Sequence, residues 1–177
     1  MKWVRETFSN EGISILAKLG IIFCFVAMFW ALFDQTGSAW VLQAQQMDRH
    51  FMGLEWLPSQ IQAINPILIL VLIPVFNAFI YPWVSRWATP TPLRKIATGF
   101  FITVLAYILS AQIEAWIVAG QTPSIAWQLA AYAVLTSAEV LISITCLEFA
   151  YTQAPTALKS LVMALFLLSI SLGNLFT

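Results

Sequence analysis

From Ile61 to Ser85 the chain runs without a single charged side chain. A bilayer's hydrocarbon core is crossed by a helix of about 20 mostly apolar residues. No water is present there to pair stray backbone groups, so a spanning run of this kind must be helical. The pattern recurs along the chain. Leu19 to Gln43 is interrupted only by Asp34, Ile96 to Val118 only by Glu114, and Ile125 to Tyr151 only by Glu139 and Glu148. A last apolar run sets in at Leu158 and continues to Thr177. The chain therefore reads as an all-α membrane protein with five transmembrane helices, at about 19–43, 61–85, 96–118, 125–151 and 158–177. Residues 1–18 read as a cytoplasmic, partly helical lead-in, because Lys2, Arg5, Glu6, Glu11 and Lys18 alternate with Trp3, Phe8 and Ile13. That mixture lacks the apolar core and small-residue cleavage site of a signal peptide.

Composition narrows the function classes. Hydrophobic residues make up 60% of the chain and charged ones 9%, against about 25% charge in soluble domains. The formal net charge is zero, which removes any electrostatic case for nucleic acid. Cys24 and Cys146 lie far apart inside apolar segments, a spacing that fits neither a disulfide framework nor a metal site. No metal and no cofactor are expected. With the amino end in the cytoplasm, Lys2, Arg5, Lys18, Arg86, Arg94, Lys95 and Lys159 fall inside and only Arg49 outside, as the positive-inside rule requires. The location expected is multi-pass in the cell (inner) membrane. An odd number of spans with no polar tail after the last leads us to expect an incomplete chain, truncated in its final helix.

Two acids within the spans carry the chemistry. Glu139 lies near the middle of its helix, where an ionisable group costs a few kcal/mol and faces a bundle interior or a wet cavity. Ser143, four residues on, would share its face in an α-helix. Asp34 lies past the middle of the first span, with Trp30 and Gly37 on its face. It is either a packing aspartate paired with a fixed cation or a group that takes and releases a proton as its surroundings alternate. Pro66 and Pro74 should kink the second span, either as bending points or as static features. Glu114 and His50 are expected to be hydrated, and Glu148 to form a structural salt bridge. Ser169 and Gly173 form a small-xxx-small pair that marks close helix packing. Trp40, Trp83 and Trp127 fit interfacial belts.

Four stretches, in order, carry a family resemblance: FWALFDQTGSAW (Phe29 to Trp40), INPILILVLIPVFNAFIYP (Ile64 to Pro82), EVLISITCLEFAYTQAP (Glu139 to Pro155) and ALKSLVMALFLLSISLGN (Ala157 to Asn174). Together they resemble the carboxyl-terminal half of the proton-dependent oligopeptide transporters, a branch of the major facilitator superfamily, with bacterial members the nearest in kind. The resemblance implies that the five spans are the seventh to eleventh helices of a twelve-helix core. It also implies that an amino-terminal six-helix half is missing. By the same resemblance Glu139 holds the charged amino terminus of a di- or tripeptide, Asn65 hydrogen-bonds the peptide backbone, and Trp30 lines the pocket. Asp34 is implied in proton coupling and outer gating. Phe166 stands where a tryptophan is frequent, keeping an apolar pocket wall without the indole donor.

Physical chemistry agrees with the role of Glu139, since an ammonium leaving water at mid-membrane needs a fixed anion, and charge-assisted bonds are the strong kind. The expected function is proton-coupled symport of di- and tripeptides by alternating access, with protons, peptide and lipid as partners. Two other classes stand beside it. One is a non-transporting scaffold or truncated gene product. The other is an intramembrane enzyme using Asp34 and Glu139, which would need both acids within hydrogen-bond reach of one substrate.

Overall fold

The computed structural model describes residues 9–176; residues 1–8 of the expected lead-in lie outside the described residues. Helix α1 (Asn10–Phe33) starts where Ser9 caps it, its side chain accepting from the Gly12 N–H at 3.1 Å. The rest of the lead-in is thus helical and continuous with the first span. A 3-10 turn, Asp34–Gly37, and a short α2 (Ala39–Gln45) complete that span. After a hairpin of β1 (His50–Phe51) and β2 (Leu54–Glu55) comes a 3-10 turn at Pro58–Ala63 and then α3 (Ile64–Val75). The hairpin closes through Met52 at φ 54 and Gly53 at φ 77, the pair of positive angles that a tight two-residue turn requires.

Pro66 sits in the first turn of α3 and Pro74 near its end; a wide π turn, Phe76–Ile80, follows at once and leads into α4 (Tyr81–Val84). Proline withholds an N–H and crowds the preceding turn. The irregularity expected of this span therefore takes the form of a π turn. Helix α5 (Pro92–Val118) opens with proline at its first position, where the missing N–H costs nothing. Helix α6 (Ala126–Glu139) runs into a second π turn, Val140–Ile144, and then α7 (Thr145–Gln153). Helix α8 (Lys159–Leu175) follows a 3-10 turn at Thr156–Leu158.

Four helical stretches are long and apolar enough to cross a membrane: Asn10–Gln45, Pro58–Val84, Pro92–Val118 and Ala126–Gln153. Lys159–Leu175 is apolar but shorter. Large side chains such as Met28, Leu70, Phe79 and Phe101 are mostly exposed, as a lipid-facing surface requires.

The chain forms two compact units, one running to Asp34 and resuming at Ser143, the other covering Gln35–Ile142. In the first, α8 packs along α1. Gly173 permits the approach: a Cβ there would lie 2.6 Å from Trp30 Cβ and 2.7 Å from the Ala27 carbonyl. Ser169, one turn earlier, is buried, so the small-residue pair is the packing seam.

In the second unit α5 packs on α6 through a buried stripe of Ile96, Gly99, Thr103, Ala106, Ser110 and Ile113. Small residues let the backbones approach. A Cβ on Gly99 would meet Ile142 Cγ1 at 2.5 Å. The two π turns touch here, Phe76 from one packing with Val140 and Leu141 from the other.

Candidate functional site

Within the second unit, Asn65 and Glu139 come together although 74 positions separate them. Asn65 Nδ2 donates to Glu139 Oε2 at 2.8 Å and to Thr136 Oγ1 at 3.1 Å. Thr136, fully buried, passes its own hydroxyl proton to the Tyr132 carbonyl one turn back, at 2.8 Å. Three sequence features place this group. Asn65 is the second residue of α3, after the 3-10 turn; Thr136 and Glu139 are three apart on α6 and so share a face. The π turn begins at the next residue, Val140.

The electrostatics follow from what surrounds the carboxylate. Glu139 is half-buried, and among the described residues its only side-chain partner is a neutral amide. The ion pairs among the described residues are confined to the hairpin loop, Arg49 with Glu55 and His50 with Asp48 and Glu55. Glu148 forms none of them, contrary to the salt bridge expected for it. Glu139 is thus an anion at span depth, aimed by an amide and without a cation. Glu139 Oε1 and Asn65 Oδ1 take no hydrogen bond among the described residues. They are two acceptors free for a ligand that brings donors.

The first unit holds the other expected residues. Asp34 is the half-buried residue that ends α1, its N–H bonded to the Trp30 and Leu32 carbonyls. With its amide nitrogen turned to these acceptors, Asn174 on α8 donates to Asp34 Oδ2 at 2.5 Å and to the Ile170 carbonyl at 2.9 Å. Asp34 has no cation partner among the described residues. Trp30 meets Phe29 and Phe33 edge-on at 5.5 and 5.3 Å. Its indole N–H and the hydroxyl of Ser143 are buried without a hydrogen-bond partner. Phe166, 7% exposed, packs edge-on against Phe23 at 5.9 Å. The α-helical spacing assumed for Glu139 and Ser143 does not hold, because a π turn lies between them and its register is five rather than four.

A polar cluster near the hairpin end of the second unit is not evident from the sequence alone. Gln43 Nε2 donates to the Ser110 carbonyl (3.1 Å) and to Glu114 Oε2 (2.9 Å), and Gln128 Nε2 donates to the Trp40 carbonyl (2.7 Å). Tyr132 reaches the Thr36 carbonyl from α6 at 3.1 Å, its ring perpendicular to Trp40. The available signal was the pair of uncharged amides, Gln43 and Gln128, inside apolar spans, since buried polar groups must find partners. Glu114, expected to be hydrated, is exposed yet tied to buried Gln43.

Comparison with known proteins places this geometry in context. A family model described as the POT family matches residues 1–177. The chain is 41% identical to Peptide transporter 3 of Caenorhabditis elegans over 99 residues, 56% of this chain and 14% of the relative. It is 30% identical to Peptide transporter PTR2 of Saccharomyces cerevisiae over 166 residues, 86% of this chain and 27% of the relative. The crystal structure of an auto-inhibited POT family peptide transporter superposes with a TM-score of 0.87 at 40% identity, covering 94% of this chain and 32% of that one. The chain thus spans only a minor part of the relatives it matches, and those relatives are transporters, not enzymes.

Proposed function

The chain belongs to the POT family, and on that premise we propose that it supplies the peptide amino-terminus site of a proton-coupled transporter of di- and tripeptides. The observation that carries this reading is the uncompensated carboxylate of Glu139, oriented by Asn65 at 2.8 Å and meeting no cation among the described residues. A buried anion left unpaired is costly. A substrate ammonium removes that cost while losing its own hydration. Asn65 Oδ1 then accepts from a peptide N–H, and the unpaired donors of Trp30 and Ser143 offer bonds to substrate carbonyls. Phe166 lends apolar surface.

Asp34 serves the proton. Its carboxyl is bonded to a neutral amide and backs onto the end of a helix, so it can exchange a proton without breaking a fixed ion pair. In alternating access, Glu139 and Asp34 meet outside and inside water in turn, and loading one alters the affinity of the other. The spans correspond to the seventh to eleventh helices of the family's core, in a carboxyl-terminal half of bacterial type placed in the inner membrane. An amino-terminal six-helix half would complete the cavity and provide a site for the peptide carboxylate.

The test is uptake of a labelled dipeptide by the full-length protein in liposomes with an imposed inward proton gradient. Accumulation driven by the gradient and abolished by dissipating it is expected. Absence of uptake with and without the gradient would leave a scaffold or other non-transporting role.

A further inference from the structure

The second unit contains a cavity of about 640 Å³ that has no place in the peptide mechanism. Its walls are apolar, formed by Phe76, Ile80, Phe101, Ile102 and Leu141, and its rim carries Arg94 and Lys95. The two cations stand in the first turn of α5, which contains no acid, although the start of a helix favours acids over bases. Among the described residues no carboxylate pairs with either. Both are nevertheless held in place. Arg94 Nη1 donates to the Thr89 carbonyl and hydroxyl at 3.2 Å, and Lys95 Nζ lies 3.9 Å from the centre of the Tyr81 ring. Thr89 and Tyr81 also line the cavity.

The surroundings mark the depth. Trp83 and Trp87, 62% and 82% exposed, flank the loop that precedes α5, and such side chains settle at the headgroup level. Arg86 stands between them and lines an adjoining hollow with Phe79 and Trp83. The basic residues of this loop also place it on the cytoplasmic side by the positive-inside rule, where the anionic lipids lie. An uncompensated cation pair at the mouth of an apolar groove matches a molecule with an anionic head and a hydrocarbon tail.

We propose that this groove is a seat for one anionic phospholipid, its phosphate on Arg94 and Lys95 and an acyl chain between α3, α5 and α6. The chain would end against Phe76 and Leu141, the contact between the two π turns, next to the segment that carries Glu139. The site does not depend on the peptide reading.

The test is native mass spectrometry of the purified full-length protein titrated with phosphatidylglycerol, phosphatidylcholine or inorganic phosphate. Phosphatidylglycerol should be retained about tenfold or more over phosphatidylcholine, each basic residue adding attraction for an anionic lipid. Arg94→Gln/Lys95→Gln should erase the preference, and Ala97→Trp, which fills the groove and leaves the charges, should reduce retention of both lipids. Arg49→Gln, in the hairpin loop, should change nothing. Folding of each variant is checked by monodisperse elution. Equal retention of the two lipids, undiminished phosphatidylglycerol in Ala97→Trp, or displacement by inorganic phosphate at matched concentration would each overturn the proposal. The last would assign the cations to free phosphate.

Discussion

Glu139 and Asp34 are both acids inside spans, and each is held by an asparagine from a distant helix rather than by a cation. The resemblance ends there. Asn65 is itself anchored, with a second bond to fully buried Thr136, and it meets Glu139 at the last α-helical residue before a π turn. Asp34 sits at the end of α1 where the backbone tightens into a 3-10 turn, and its partner Asn174 lies near the exposed end of α8. A carboxylate aimed by a rigid amide suits recognition of a positioned charge. One at a backbone transition with an exposed partner suits exchange of a proton. The lesson is that two similar residues in apolar helices are set to different tasks by the neutral groups that hold them.

Substitutions should separate the two. The largest effect is expected for Glu139→Gln, which should lower uptake of peptides with a free amino group by about a hundredfold or more, as for breaking a buried charge pair. The protein should still reach the membrane. Asp34→Asn should instead abolish accumulation driven by the gradient while dipeptide exchange across the liposome persists. If exchange fails as well, the division of labour is wrong. Asn65→Leu removes a hydrogen bond to a charged group, about 1.5–3 kcal/mol, and should weaken peptide binding by about tenfold to a hundredfold, with gradient coupling retained.

Smaller effects test the packing of each unit. Gly173→Ala and Gly99→Ala should each destabilise by about 1–3 kcal/mol, read as lower melting temperatures. The first should cost more, because its added Cβ meets backbone atoms at 2.7 and 3.0 Å, whereas the nearest atom to the second is on the Ile142 side chain. The smallest effect is expected at Asp48 in the hairpin loop, whose carboxyl is held below its ordinary 3.8 chiefly by the backbone N–H of His50, with the His50 ring assisting. A depressed carboxyl stabilises above its unfolded value. Asp48→Asn should therefore lower the melting temperature slightly at neutral pH, and the difference should vanish as pH falls below about 3.8.

The spans were legible because apolar length alone dictates them, and the acids because charge within such a run is rare. Gly173 and Ser169 announced their seam by spacing. Proline at position 74 foretold an irregular second span, but nothing at Val140–Ile144 foretold the matching π turn: no proline is present there, and the turn arises where α6 packs against the other irregular helix. The Asn65–Glu139 pair was reached through family resemblance, since no periodicity links residues this far apart. The Gln43, Ser110, Glu114 and Gln128 cluster escaped notice because single amides in apolar spans carry no pattern. Their partners are fixed only by tertiary packing.

The central claim is that the carboxylate of Glu139 binds a substrate ammonium. It is tested most directly by calorimetric titration of the full-length protein and its Glu139→Gln variant with one dipeptide and its N-acetylated form. The account predicts that the substitution weakens binding of the free-amine peptide by about a hundredfold and leaves binding of the acetylated peptide nearly unchanged. Equal losses for both peptides, or no loss for the free amine, would contradict it.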